Sequence, residues 1–66
     1  MIMKIEDIAK AMYFLNAIQN KYLEYIDVKQ IENNTILLSN NIVISIPVLV
    51  NCYNNYVRTG KVVKPW

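Results

Sequence analysis

The feature that most constrains the fold is a long helical pattern near the start of the chain. Between Lys4 and Ile26 apolar residues recur at steps of three and four, the spacing of one apolar helix face. No glycine or proline interrupts this pattern. The predicted face consists of Ile5, Ile8, Met12, Leu15, Ile18, Tyr22 and Ile26, widened by Ala11 and Tyr25. The sequence therefore predicts a long N-terminal helix over residues 4–26.

After this helix the period of the pattern changes from helical to extended. Residues 35–38 are β-branched and apolar, and residues 42–46 alternate with three isoleucines on one side, as strands do. Asn33–Asn34 and Ser39–Asn40–Asn41 are residues typical of tight turns. Turns this short join antiparallel strands. We therefore predict a two-stranded hairpin, or a three-stranded meander if residues 28–32 also form a strand.

A second helix is predicted to follow the sheet. Ser45 is a good N-cap residue, Pro47 suits the first helical turn, and Gly60 stands where a helix C-cap is expected. Its predicted buried face carries Leu49, Cys52, Tyr53 and Tyr56. Residues 62–63 are a candidate edge strand. The predicted fold class is α+β in the order α-β-β(-β)-α, with both helices on one face of a small antiparallel sheet.

The chain has 66 residues, which suits one small domain over residues 1–66. A chain of this size buries only about 60% of the surface that it exposes when unfolded, so its stability is marginal. Cys52 is the only cysteine and histidine is absent, which excludes an intrachain disulfide and a structural zinc site. Because small domains often gain stability from a partner subunit, we expect a homodimer or another protein partner.

The sequence offers no constellation for catalysis, and we predict neither enzyme activity nor a cofactor. Cys52 has no histidine to activate it and stands in a helix, so we interpret it as a buried core residue. The five carboxylates lie at helix and strand ends, where capping and solubility explain them better than acid–base chemistry. One glycine cannot build a phosphate-binding loop.

Protein binding is the function that we predict. Hydrophobic residues form 55% of the chain and charged residues 18%, with five tyrosines and one tryptophan, so some rings must reach the surface. Tyr13, Phe14 and Leu23 do not fit the main apolar face of the first helix. Together with Trp66 they are the predicted protein interface, although scattered surface hydrophobes explain them equally well.

Nucleic-acid binding is the alternative function. The net charge is +2, but residues 33–66 carry Arg58, Lys61 and Lys64 and no acid. These cations could contact phosphates while Tyr56 stacks on a base. Three cations are few for a dedicated nucleic-acid binder, and helix capping explains them as well.

Membrane insertion is not expected, because the longest apolar stretch, residues 42–50, is far shorter than a spanning helix. Glu6 and Asp7 stand where a signal peptide would become apolar. With a single reduced cysteine, these features favour the cytoplasm.

In style the chain resembles the short accessory proteins of bacteriophages and mobile elements in low-GC bacteria. The resemblance lies in the opening Met1-Ile2-Met3-Lys4-Ile5, in the asparagine-rich turns and in the isoleucine-rich residues 35–44. Proteins of this kind often inhibit a host enzyme or defence system by direct binding. The resemblance therefore implies a viral or mobile-element inhibitor that acts by protein contact.

Overall fold

The chain alternates a helical pattern, three extended segments and a second helical pattern, and the computed structural model follows this order over the residues it describes, 4–66. The elements are α1 (Ile5–Tyr22), β1 (Val28–Glu32), β2 (Thr35–Leu38), β3 (Val43–Ser45) and α2 (Ile46–Thr59). The strands form one antiparallel sheet in the order β1-β2-β3. The predicted α+β layout is confirmed, and residues 28–32 do form a strand.

Asparagines make both turns of the sheet, as predicted. Asn33 and Asn41 have left-handed backbones, with φ of 54° and 66°, which asparagine tolerates better than most residues. The second turn is closed further by Asn40, whose side-chain oxygen accepts a hydrogen bond from the Ile42 N–H at 3.1 Å. These turns fix a register in which Ile36 of β2 lies between Ile31 and Ile44.

The core lies between the two helices and one face of the sheet. Side chains alternate along β2, so Ile36 and Leu38 are buried and share their face with Ile44. The buried cluster consists of Ala11, Phe14, Leu15, Ile18, Ile26, Ile36, Leu38, Ile44, Ile46, Leu49 and Val62. The central strand and both helices thus contribute the core, whereas β1 is exposed along residues 29–32.

α1 ends at Tyr22, four residues before the predicted end at Ile26. Leu23 has a left-handed backbone with φ of 53°, and its N–H donates to the Gln19 carbonyl, which also accepts the Glu24 N–H at 3.3 Å. The Gln19 side-chain oxygen then accepts a hydrogen bond from the Ile26 N–H at 3.1 Å. This network ends the helix, and it places Ile26 in the core from an extended segment instead.

The buried face of α1 is rotated from the predicted one. Ala11, Leu15 and Ile18 are buried as predicted, but four residues assigned to the apolar face are exposed: Ile5, Met12, Tyr22 and Tyr25. Phe14 is buried in their place. The rotation follows from the packing of α1 against both α2 and the core, because contact with the second helix buries the side on which Phe14 lies.

α2 agrees closely with its prediction. Ser45 is the N-cap residue, a proline lies in the first turn, and Gly60 ends the helix with φ of 74°. The Ser45 side chain makes no capping hydrogen bond, so the predicted cap residue is present without its usual bond. Cys52 is half-buried against the core, which is less burial than predicted.

The segment after α2 returns along α1 without forming the edge strand considered for residues 62–63. The Lys21 ammonium donates to the Val62 carbonyl at 2.9 Å, and the Val62 side chain is buried. Lys64 forms an ion pair with Glu24, with Nζ and Oε2 2.6 Å apart. We call residues 61–66 the C-terminal strap, because these contacts fasten them to the end of α1.

Candidate interaction surface

Two ring contacts join α1 to α2. One involves a core residue of α1, and the other involves an exposed residue. Phe14 meets Tyr56 edge to face with centroids 6.1 Å apart, and its side chain is 0% exposed. Tyr13 meets Tyr53 with centroids 6.3 Å apart, yet remains 69% exposed. The prediction of Phe14 as an interface residue is therefore wrong: its ring is a core component, and only Tyr13 of the two can touch a partner.

Tyr13 belongs to a continuous exposed row along α1, which we call the outer ridge. The outer ridge consists of Ile5, Ala9, Tyr13, Asn16 and Asn20 of α1, followed by Leu23. These residues recur at steps of three and four, so they share one side of the helix. Every one of them is exposed and uncharged. Solvent-facing helix surfaces usually carry charged residues, so the outer ridge is unusual for a surface that only meets water.

Leu23 ends the outer ridge in a conformation that costs free energy. Left-handed backbone geometry is unfavourable by about 1–2 kcal/mol for residues with a Cβ, and glycine is the usual residue at this cap position. The Leu23 side chain is 91% exposed, so packing within the chain does not offset this cost. Of the predicted interface residues, Leu23 and Tyr13 thus lie on the same exposed side of α1.

A hollow of about 380 Å³ lies beside the end of the outer ridge, lined by Gln19, Asn20, Leu23, Glu24 and Tyr25. The Tyr25 hydroxyl donates a hydrogen bond to Asp27 at 3.2 Å, and this bond, with the charge of the carboxylate, raises the pKa of Tyr25. Glu24, the one carboxylate of the lining, is paired with Lys64. The one carboxylate of the hollow is thus paired with the C-terminal segment, and the rest of its lining is a tyrosine, two amides and a leucine.

Trp66, the fourth predicted interface residue, folds back with the C-terminal strap. Its side chain is half-buried and packs against the core cluster. The Lys64 ammonium lies 5.6 Å from the Trp66 ring centroid and 5.2 Å from that of Tyr22, both within cation–π range. Trp66 therefore fastens the strap to the end of α1, and only part of its ring remains for a partner.

Three of the residues predicted to contact nucleic acid have partners within the chain. Arg58 donates a hydrogen bond to Asn55 at 2.7 Å, while Lys64 is neutralised by Glu24. Tyr56 packs its ring edge to face with Phe14, so it is not a free stacking platform. Arg58 and Lys61 remain as exposed cations. A cluster reduced from three cations to two weakens the electrostatic argument for nucleic-acid binding.

The described residues offer little reactive chemistry. Burial raises the pKa of the Cys52 thiol, which lowers the fraction of reactive thiolate at neutral pH. Within residues 4–66 no three His, Cys, Asp or Glu side chains are grouped so that they could hold a metal ion.

Neither of the two helices in residues 4–66 is both long and apolar enough to cross a membrane. No protein-family model, curated protein or solved structure matches the chain.

One sequence signal would have revealed the outer ridge. No charged residue occurs between Lys10 and Lys21, although this stretch makes nearly three helical turns. Four residues of the stretch are buried and two are half-buried, and the exposed remainder includes Tyr13, Asn16 and Asn20. Hydrophobic periodicity alone misses this signal, because it treats asparagine as polar and so assigns this side of the helix to solvent like any charged face.

Proposed function

We propose that the chain is a non-enzymatic protein-binding module and that the outer ridge of α1 is its contact surface. The observation that carries this proposal is the exposure of an uncharged row of side chains along the whole helix. At its end stands Leu23, which costs folding free energy and is almost fully exposed. A backbone outlier that packing does not explain is a sound starting point for a functional hypothesis.

The composition of the outer ridge suits recognition of another protein. The centres of protein interfaces are depleted in charged residues and enriched in aromatic ones. Tyr13 offers a large, rigid ring with a hydroxyl, which buries area at low conformational cost. Asn16 and Asn20 offer amide donors and acceptors, and Ile5 and Leu23 add apolar contacts at the two ends.

Two other exposed surfaces support a partner less well. The outer face of the sheet has a hollow of about 160 Å³ between Leu37 and Val43, but Glu32 places a charge in its lining. The outer face of α2 carries the exposed charge of Arg58, and its Asn55 is engaged within the helix by Arg58 and Thr59. Neither surface has an exposed aromatic ring, whereas the outer ridge has Tyr13 at its centre.

The resemblance to phage and mobile-element accessory proteins fits this proposal. It favours a host protein as the partner, bound in the cytoplasm, where a lone cysteine stays reduced. Inhibition by occupying a surface of that partner needs no catalytic group from this chain.

Photo-crosslinking tests the proposal directly. A photoreactive amino acid replaces Tyr13, and in a matched variant it replaces Asn51, which is exposed on the outer face of α2. After irradiation in the cells that encode the chain, we expect a discrete protein adduct from position 13. Mass spectrometry of the adduct identifies the partner, whether it is another protein or another copy.

The control variant decides whether the adduct reports a specific surface. Equal adducts at positions 13 and 51 would indicate non-specific collision, and no adduct at position 13 would contradict the proposal. A second crosslinking position at Asn20, which lies on the outer ridge two helical turns away, should capture the same partner as position 13.

A further inference from the structure

We infer that the occupant of the outer ridge is a second copy of this chain, with the two α1 helices packed antiparallel across a twofold axis. The inference rests on the proposed function, because it uses the same contact surface, but it assigns that surface to a second copy in place of the host protein that the resemblance favours. It follows from three properties of the described residues: the order of side chains along the ridge, the dipole of α1, and the small size of the core.

The order of residues along the outer ridge is nearly symmetric about its middle. In an antiparallel pair Ile5 of one copy lies opposite the second copy's Leu23, so the two exposed apolar ends cover each other. Ala9 lies opposite Asn20, which sets a small side chain against a larger one. Near the axis Tyr13 lies opposite Asn16, where a hydroxyl and an amide can exchange hydrogen bonds. A twofold interface requires this self-complementarity.

The dipole of α1 favours the antiparallel orientation, because antiparallel packing sets the positive N-terminal end of one helix beside the negative C-terminal end of the other. The charged side chains at the helix ends do not add to this preference. Asp7 and Lys21 lie on the same stripe of α1 as the buried Phe14 and Ile18, on the inner side of the helix, and the Lys21 ammonium donates to the Val62 carbonyl at 2.9 Å.

The size of the chain gives dimerisation a thermodynamic reason. Helices with 18 residues are about 27 Å long, and the long dimension of the whole molecule is 29 Å. The outer ridge therefore offers a strip that nearly matches the length of the protein. Covering it buries Ile5 and Leu23, which the monomer leaves 86% and 91% exposed, and adds the apolar burial that so small a core lacks.

The strip is narrow, so the complex should be modest in strength. A single helix pair gives an interface near the low end of the standard range, about 1,200 Å² in total. Interfaces of this size often dissociate in the micromolar range, which corresponds to about 8 kcal/mol of binding free energy. The mass of the particle should accordingly rise with concentration, from the monomer value of 7.7 kDa to twice that value.

Sedimentation equilibrium over the micromolar range tests the inference with a matched pair of variants. Asn16→Lys sets two lysines close to each other across the twofold axis, and we expect it to weaken the dimer at least tenfold. Asn51→Lys makes the same chemical change at an exposed position of α2, and it should leave the dissociation constant unchanged. Circular dichroism of both variants verifies that each one is folded.

A charge exchange at the ends of the outer ridge tests the orientation of the helices. Ile5→Glu alone should weaken the dimer, because it sets a charge against the second copy's Leu23, and Leu23→Lys alone should weaken it for the corresponding reason. The double variant sets opposite charges against each other at both ends and should recover at least half of the lost binding free energy. Failure to recover, with both single variants weakened, would overturn the antiparallel arrangement.

The outcomes distinguish this inference from the proposed function. A wild-type chain that stays monomeric to about 1 mM, where binding would be worth only about 4 kcal/mol, overturns the inference. Loss of the dimer in Asn51→Lys as well as in Asn16→Lys overturns it too, because the contact would then lie elsewhere. If the chain is a monomer but position 13 crosslinks to a different protein, the inference fails and the proposed function stands. If neither self-association nor any adduct is seen, both fail.

Discussion

The inner and outer faces of α1 use similar residues for different purposes. The inner face has an alanine, a leucine, an isoleucine and a phenylalanine, all buried, and the outer face has an isoleucine, an alanine, a tyrosine and a leucine, all exposed. Asparagines on the outer side are the main difference in chemistry. Burial of α1 side chains is therefore decided by where α2 and the sheet lie, and not by the hydrophobicity of each residue.

This contrast separates folding from association within one helix. Residues of the inner face contribute to stability through packing, which is sensitive to single methylene groups. Residues of the outer ridge contribute little to the folded monomer, and Leu23 reduces its stability. Substitutions on the inner face should thus change the free energy of unfolding, and substitutions on the outer ridge should change association.

Replacing the buried ring should separate the two faces most clearly. Phe14→Ala removes a fully buried side chain and leaves a cavity beside Tyr56, so we expect a loss of about 3–5 kcal/mol in the free energy of unfolding. Tyr13→Ala, one residue away, should cost less than about 1 kcal/mol, because its ring is mostly exposed. Urea denaturation at a protein concentration well below the dimer dissociation constant measures both. Similar losses would show that the two faces do not differ.

The two helix ends should respond with opposite signs. Leu23→Gly relieves about 1–2 kcal/mol of backbone strain against about 0.5–1 kcal/mol of added chain entropy, so it should stabilise the monomer by about 0.5–1 kcal/mol. Gly60→Ala reverses the same terms at the end of α2 and should destabilise by a similar amount. A Cβ at Gly60 meets no atom within 4 Å, so backbone strain alone causes the loss. Thermal denaturation at low concentration compares the pair.

The asparagines on the outer ridge should lower the stability of α1, because they are poor helix formers and do not pack in the core. Asn16→Ala replaces a poor helix former by the best one at an exposed position, and we expect a gain of about 0.5 kcal/mol in the free energy of unfolding of the monomer. The same change removes an amide from the proposed interface and should weaken association. A variant that is both less stable and equally associated would contradict the separation of the two faces.

The smallest effect is expected at the C-terminal strap, which borders the outer ridge but does not belong to it. Glu24→Gln removes the ion pair to Lys64, whose two side chains are 27% and 35% exposed, so solvent screening limits the loss to about 0.5 kcal/mol. The loss should shrink in high salt. Self-association should stay unchanged, and a large change in the particle mass would move the interface toward the strap.

The type and order of the elements followed from sequence because local signals agreed with one another. The asparagine turns, the proline at the start of α2 and Gly60 at its end mark their positions by backbone chemistry that needs no distant partner. The end of α1 gave no such signal: Leu23 is a residue that normally continues a helix. Its left-handed backbone depends on hydrogen bonds to Gln19, four residues earlier.

The assignment of Tyr13 and Phe14 needed tertiary information. Their spacing shows only that they point to different sides of α1, and the position of α2 decides which of them is buried. The same holds for Lys64, whose pairing with Glu24 joins residues 40 positions apart in sequence. Such contacts carry no local pattern, so the predicted basic cluster could not be corrected before the fold was known.

The exposure of β1 has a consequence for how the molecule moves. Residues 29–32 pair with β2 but bury little apolar surface, so detaching β1 costs far less than unfolding the core. The strand should therefore unfold locally and re-form many times during the lifetime of one folded molecule, while the core stays folded. Each opening uncovers the hydrogen-bonding edge of β2, so crowded conditions would favour exchange of this strand between neighbouring molecules.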